Sequence, residues 1–230
     1  MTTLIAKDSL TSVSAGTLSG RVPIVGYAWV AYGSSPISLS ACATDSSGMQ
    51  VQNNNSGLGA RIGITPAAPF GNAFTAQQTV TLVDIPHGGN LATAYVFSSA
   101  GGSNDYGAFL SVVTGDHNST NTIKAYVTLS TPIGFLTWSN NSPGLSYGTP
   151  ITLKIDTSDN QVFRFYINNV LATTLDALAP LPTPIQMGLI ASDAFANTSS
   201  NRLVFGEFDA WNNPVPPFWG NYTRCFETDS

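Results

Sequence analysis

The sequence predicts an all-β chain folded into a two-sheet antiparallel sandwich, and three observations carry that prediction. Twenty-one glycines and fourteen prolines punctuate the chain at short intervals, as turns between many short strands would. Charged residues make up only 9% of the chain, against roughly 25% in an ordinary soluble domain. The polar surface therefore has to be Ser, Thr, Asn, Gln and Gly, which excludes a coiled coil, a helical bundle and a charge-rich disordered chain. Several windows alternate apolar and polar residues with period two, while no long window holds a helical apolar stripe. At 230 residues the chain can bury one sizeable core, which places one sandwich over residues 1–211 and a tail over 212–230.

Taken in order, strands are expected at 28–32, 37–43 and 59–64. The window 78–85 follows, with Val80 and Leu82 on one face. Strands at 91–97 and 106–113 come next, then the window 122–129 with Ile123, Ala125, Val127 and Leu129 aligned. The clearest block is 149–175. Ile151, Leu153 and Ile155 alternate with Thr152, Lys154 and Asp156, and Ser158-Asp159-Asn160 turns the chain. Phe163, Phe165 and Ile167 then share a face, Asn168-Asn169 offers the positive φ of a two-residue hairpin turn, and 170–175 returns. This is a three-stranded meander. The three prolines of 176–184 make a connector, and strands at 185–191 and 202–211 close the domain.

The tail changes character. Its prolines disfavour a central strand, yet Phe218, Trp219, Tyr222 and Phe226 form an aromatic set that favours burial. Two readings stand: the tail packs back on its own domain, or it is an arm whose aromatic anchors hold a neighbouring subunit. Cys42 and Cys225 either form one long-range disulfide pinning the tail or stay as free buried thiols; they form no CxxC pair and supply too few ligands for a metal.

Eight basic and thirteen acidic residues give a net charge of −5, and no Lys/Arg cluster exists, so nucleic acid is not an expected partner. No stretch approaches the ~20 apolar residues of a spanning helix, so no membrane partner is expected either. Residues 1–18 lack a basic segment followed by an apolar one, which predicts synthesis in the cytoplasm without a signal peptide.

Three segments together carry a family resemblance. Asp8-Ser9-Leu10-Thr11, then Gly16-Thr17-Leu18-Ser19-Gly20-Arg21 and Trp29, resembles the opening of laminin-G-like, concanavalin A-like jelly-roll modules, an opening common in bacteriophage structural genes and in some bacterial surface proteins. The meander with Phe165-Tyr166-Ile167-Asn168-Asn169 resembles a hairpin of the same superfamily. The stretch 184–191 and Val204-Phe205-Gly206-Glu207-Phe208-Asp209-Ala210-Trp211 resemble its closing strands. The resemblance spans most of 8–211 and implies a concanavalin A-like jelly roll. That fold serves lectins, glycosidases, lyases and inert structural subunits, so function has to be argued from residues.

Glycoside hydrolysis needs two carboxyl groups about 5–5.5 Å apart in retaining enzymes, and glucanases of this superfamily carry an E-x-D-x-x-E-type strand. Glu207 and Asp209 share a strand face, but no third acid follows, and the pair reads as solvated side chains on an outer or edge strand. The two histidines, His87 and His117, sit in Gly/Asn/Asp-rich loops with no spacing that joins them to a nucleophile, and no G-x-S-x-G elbow exists. No catalytic residue and no enzyme is expected. No cofactor is expected; calcium is the one candidate, with Asn104-Asp105, Asp116-His117-Asn118 or Asp156 and Asp159 as donors, and each cluster reads equally as Asx-turn chemistry. Sugar binding needs an aromatic platform beside amides. Thr137-Trp138-Ser139-Asn140-Asn141 is the best single loop for it, with Trp138, Asn140 and Asn141 as glycan contacts; the plainer reading half-buries Trp138 in the sandwich or at a subunit contact.

Two functions follow. The first is a non-enzymatic bacteriophage virion protein on the particle surface, a capsid decoration, cement or tail-associated subunit. It would act through contacts with other virion proteins and with its own copies, and through host-surface polysaccharide. Low charge suits such contacts, because few charged groups need desolvating when surfaces meet. The alternative is a glycan-binding lectin module of a viral receptor-binding or bacterial surface protein.

Overall fold

The computed structural model describes residues 2–10, 20–32, 49–50, 60–65, 68, 70–82, 92–99, 106–114, 123–141, 144–184, 186–193 and 203–213. They form fourteen strands: β1 (Thr3–Ser9), β2 (Tyr27–Tyr32), β3 (Met49–Gln50), β4 (Ala60–Thr65), β5 (Phe74–Leu82), β6 (Ala92–Ser99), β7 (Gly107–Thr114), β8 (Ile123–Thr131), β9 (Gly134–Asn140), β10 (Ile151–Thr157), β11 (Val162–Ile167), β12 (Val170–Asp176), β13 (Gln186–Asp193) and β14 (Leu203–Asn212). The first sheet runs β1-β14-β5-β10-β11-β12, with β3 also paired to β14, and the second runs β2-β4-β13-β6-β7-β8-β9. Every ladder is antiparallel. The chain is an all-β, two-sheet jelly-roll sandwich, as its alternation predicts.

The core lies between the sheets and follows the period-two pattern. Buried and half-buried residues alternate strictly along β5 and β10. Phe74, Val80, Ile151, Leu153, Ile155, Phe163 and Phe165 face inward from the first sheet, and Val96, Leu110, Val112, Val127 and Leu129 meet them from the second. Phe74 and Phe163 pack edge to face at 6.3 Å. The meander forms as expected, and its turn residues Asn168 and Asn169 take φ of 50° and 63°, the left-handed pair that a two-residue hairpin requires.

Gly107, the first residue of β7, pairs with Ser99 where two backbones come unusually close. A Cβ there would overlap the Ser98 carbonyl oxygen and stand 2.9 Å from Ser99 Cα. Both obstacles are backbone, so Gly107→Ala is expected to cost about 3 kcal/mol. Equilibrium urea unfolding reads this as a lowered midpoint at unchanged slope.

The two flanks of the sandwich are built differently. On the β1/β2 flank, residues 20–26 lace the sheets together: Lys7 and Val25 exchange backbone hydrogen bonds of 2.9 and 3.0 Å, and Gly20 N–H donates to Trp29 O at 2.8 Å. Trp29 of the second sheet packs on Phe208 of the first at 5.5 Å. On the opposite flank, β9 and β12 end their sheets side by side, and among the described residues no further strand pairs with either.

Two expectations shift. Residues 137–141, expected as a loop, largely belong to strand β9, and only Asn141 lies in the bend beyond it. The final strand runs on to Asn212, and Asn213 N–H donates to Ala73 O at 2.9 Å. The expected strand at 37–43, both cysteines (Cys42 and Cys225), both histidines, Asp105, Asp116 and the tail anchors Phe218, Trp219, Tyr222 and Phe226 lie outside the described residues.

Candidate functional site

The open flank holds a groove of about 340 Å³ between β9 and the β11–β12 hairpin. Its lining includes Trp138 and Asn140 from β9, Leu145 from the following segment, and Ile167, Asn168 and Leu171 from the hairpin. The strand pattern explains the convergence. Trp138 and Asn140 lie opposite Val127 and Ala125 on β8, which are buried, so both turn toward the first sheet rather than away from it. Among the described residues no strand of the first sheet extends past β12 to cover them, and Trp138 stays half-buried against the core.

Two carboxamides frame the groove. Asn168 Oδ1 accepts the backbone N–H of Thr152 at 2.9 Å, which fixes the amide and leaves its NH₂ as the group available to a ligand. Asn140 supplies the second amide from the opposite wall. Between them stand the indole of Trp138 and the aliphatic side chains of Leu145, Ile167 and Leu171. An apolar, partly aromatic surface with a few fixed polar groups is the usual make-up of a small-molecule site, and the volume falls at the small end of that range. Of the three residues expected to contact glycan, Trp138 and Asn140 line the groove, whereas Asn141 is exposed beyond its lining. The hairpin side chains went unnoticed in the sequence, where Asn168-Asn169 reads only as a turn.

Glu207 and Asp209 lie on the outer face of the first sheet, as their spacing predicts, but Asp209 is buried there rather than solvated. Lys7 on β1 donates to Glu207 Oε1 and stands 3.2 Å from Asp209 Oδ1, so one ammonium is shared by both carboxylates. The carboxylates of Glu207 and then Asp209, both beside Lys7 Nζ, hold the ammonium above its usual value, and burial pushes the Asp209 carboxyl above its own, against the pull of Lys7. The Lys7 contribution to stability is thus complete below the ordinary lysine value of 10.5 and is lost as pH rises through the raised one. Asp209 works the other way: its charged form is penalised in the fold, so its unfavourable contribution fades as pH falls through its raised value. Lys7→Met is expected to cost about 1 kcal/mol at neutral pH and to flatten the alkaline limb of a Tm-against-pH curve. Persistence of that limb in the variant would assign it to other groups.

Asp156 and Asp159 brace strands and a turn. Asp156 accepts from Thr75 Oγ1 at 3.0 Å and Asn213 Nδ2 at 3.2 Å, and pairs with Arg164 at 2.8 Å. Asp159 accepts the backbone N–H groups of Gln161 and Val162, each at 2.9 Å, which is Asx-turn chemistry. Among the described residues, no three His, Cys, Asp or Glu side chains gather where they could hold a metal ion.

No family model matches the chain, and no curated protein matches it. Solved structures do. The carbohydrate recognition domain of Emp47p aligns with a TM-score of 0.55 at 12% identity, over 91% of this chain and 98% of its own. That of Emp46p, in a metal-free form, gives 0.52 at 12% identity over 81% and 89%. The ligand-binding domain of botulinum neurotoxin serotype D, in complex with N-acetylneuraminic acid, gives 0.51 at 10% identity over 90% of this chain and 48% of that one. At such identities the likeness is one of fold, and the fold is the concanavalin A-like jelly roll found in lectin domains.

Proposed function

We propose that this chain is a non-enzymatic glycan-binding module of the lectin kind, with its saccharide seated in the β9/β12 groove. The observation that carries the proposal is the meeting of Trp138 with the amides of Asn140 and Asn168 in one small, open-mouthed groove. A sugar ring presents an apolar C–H face to an aromatic platform and hydroxyls to amides, and this groove offers both. The matched folds support the reading in kind, since two are carbohydrate recognition domains and the third was solved with a sialic acid. A non-catalytic role fits the pairing of Glu207 and Asp209 with Lys7, which leaves neither carboxylate placed as a free acid or base.

Thermal unfolding across a panel of neutral and acidic oligosaccharides tests the proposal. A ligand at ten times its Kd is expected to raise Tm by roughly 3–5 °C in a domain of this size. Silence across the panel, repeated on a glycan array, would remove the lectin reading.

A second reading keeps one observation in its favour. Large apolar side chains stand exposed on both flanks, Val22, Ile24 and Tyr27 on one and Ile133, Phe135 and Val170 on the other, as suits a subunit packed among neighbours. That subunit would be the virion-surface decoration, cement or tail-associated protein expected from the opening segment, made in a host cytoplasm. Its test is a density gradient of particles assayed for this chain: a fixed high copy number in the particle band supports it, and absence from the band ends it.

A further inference from the structure

The walls of the groove are chemically lopsided. Nine described residues line it, and none of them carries a charge. Five of the nine, Leu145, Ile167, Val170, Leu171 and Ala172, are aliphatic. The protein leaves part of that aliphatic surface uncovered: Val170 is 70% exposed and Leu171 51% exposed, although both belong to the lining. Aliphatic side chains open to water inside a concave site gain free energy when an apolar group covers them.

The polar part of the lining is equally selective. Asn168 is clamped to Thr152 by two bonds: its N–H donates to Thr152 O at 2.9 Å, and its Oδ1 accepts Thr152 N–H at 2.9 Å. With its oxygen engaged, the amide meets a ligand through its NH₂, as a donor. The hairpin turn that carries it places this donor just before Val170 and Leu171 in the chain, so a fixed N–H group and an open aliphatic surface stand side by side.

We propose that the saccharide seated here is a neutral acetamido sugar, an N-acetylhexosamine, with its acetamido methyl against the aliphatic wall and its carbonyl oxygen accepting from Asn168 Nδ2. This selection presupposes the groove as the saccharide site. An acetamido group puts a methyl and a strong acceptor on one planar unit, which is the pairing that the wall and the amide present. A plain hexose carries only hydroxyls there, and a hydroxyl pressed on the aliphatic wall loses its water without gaining a partner. A deoxy sugar such as fucose supplies a methyl without a carbonyl beside it. An acidic sugar brings a carboxylate to a lining in which no described residue is Lys, Arg or His.

Titration of the full chain with the methyl glycosides of N-acetylglucosamine, N-acetylgalactosamine, glucose, galactose, fucose and N-acetylneuraminic acid tests the assignment. At least one of the two N-acetylhexosamines is expected to bind roughly 10- to 30-fold tighter than its parent hexose, the joint worth of one buried methyl and one hydrogen bond. Saturation-transfer NMR on that complex is expected to show the strongest transfer at the acetamido methyl. Val170→Thr combined with Leu171→Asn, at exposed positions and with an unchanged circular dichroism spectrum, is expected to cut the preference to about threefold, what the hydrogen bond alone sustains. Val22→Thr, on the opposite flank, is expected to keep it. The assignment is overturned, with the lectin reading left standing, if a parent hexose, fucose or N-acetylneuraminic acid binds as tightly as the N-acetylhexosamines. Transfer centred on the ring protons overturns it too, as does a preference that survives the double variant or is lost with Val22→Thr. Absence of binding by every sugar, here and on the glycan array, removes both.

Discussion

Asp8→Ala is expected to lower the unfolding free energy by about 3–5 kcal/mol, a drop in Tm of roughly 6–20 °C for a domain of this size. Asp8 is wholly buried, and its carboxylate is used on both oxygens. Arg21 Nη2 donates to Oδ1 at 2.9 Å and Arg21 Nε to Oδ2 at 3.0 Å, while Trp29 Nε1 donates to Oδ2 at 2.7 Å. One carboxylate thus joins β1 of the first sheet, the lacing segment and β2 of the second. Truncation takes the Asp8 carboxylate away from a partly buried guanidinium and the acceptor away from a buried indole N–H, which is costlier than the pair's net worth. Asp8→Asn keeps the shape but turns an NH₂ toward donors, so an intermediate loss is expected. Replacing Asp8 and Arg21 together by leucine and methionine should recover part of the stability, because the Asp8–Arg21 pair is then removed as a unit. Denaturant melts of the singles and the double measure the coupling. A loss below about 1 kcal/mol in Asp8→Ala would mean that water replaces the carboxylate and that the lacing is weaker than its geometry.

That network also explains what was legible in the sequence. Asp8, Arg21 and Trp29, the residues that carry the family resemblance at the opening, meet in the fold as a structural clamp. They therefore announce an architecture and say nothing about a ligand. The meander is readable for a related reason: β10 and β11 have one buried and one solvent-facing side, so burial writes a period-two pattern into their residues. β9 has no fully buried side chain, and its residues are free of that pattern, so the segment with Trp138 reads as a loop. The groove was half visible. Trp138 and Asn140 stand out by residue type, but the wall facing them comes from a hairpin about thirty residues onward, and only the closure of two sheets brings it there. Asp209 misleads in the same way, since alternation assigns a side chain to a face but does not say whether neighbouring strands bury it.

Trp138→Ala is expected to weaken saccharide binding roughly 10- to 100-fold, the largest functional effect of any single change in the groove. The indole lines the groove with Asn140, and removing it takes away the only aromatic surface among the described lining residues. Trp138→Phe, which keeps a smaller aromatic face, should retain an intermediate affinity. Asn140→Ala removes one amide and is expected to cost about 3- to 10-fold, the worth of one hydrogen bond to a neutral ligand. Asn168 is a poorer test, because its amide also holds Thr152 N–H and its backbone sits at positive φ, so a change there disturbs the turn as well. Folding separates the two effects at Trp138. The ring is half-buried at an edge rather than enclosed, so the variant should stay folded with a modest fall in Tm while its affinity collapses. Calorimetric titration with the saccharide that gave the largest thermal shift compares the variants. Wild-type affinity in Trp138→Ala would place the ligand elsewhere, and attention would turn to the outer face of the first sheet, where Lys154 lies 4.3 Å over the ring of Tyr166. The charges of that face are largely paired, and as one side of a sheet it could hold a polar chain lying across the strands rather than take a sugar ring between two walls as the groove can.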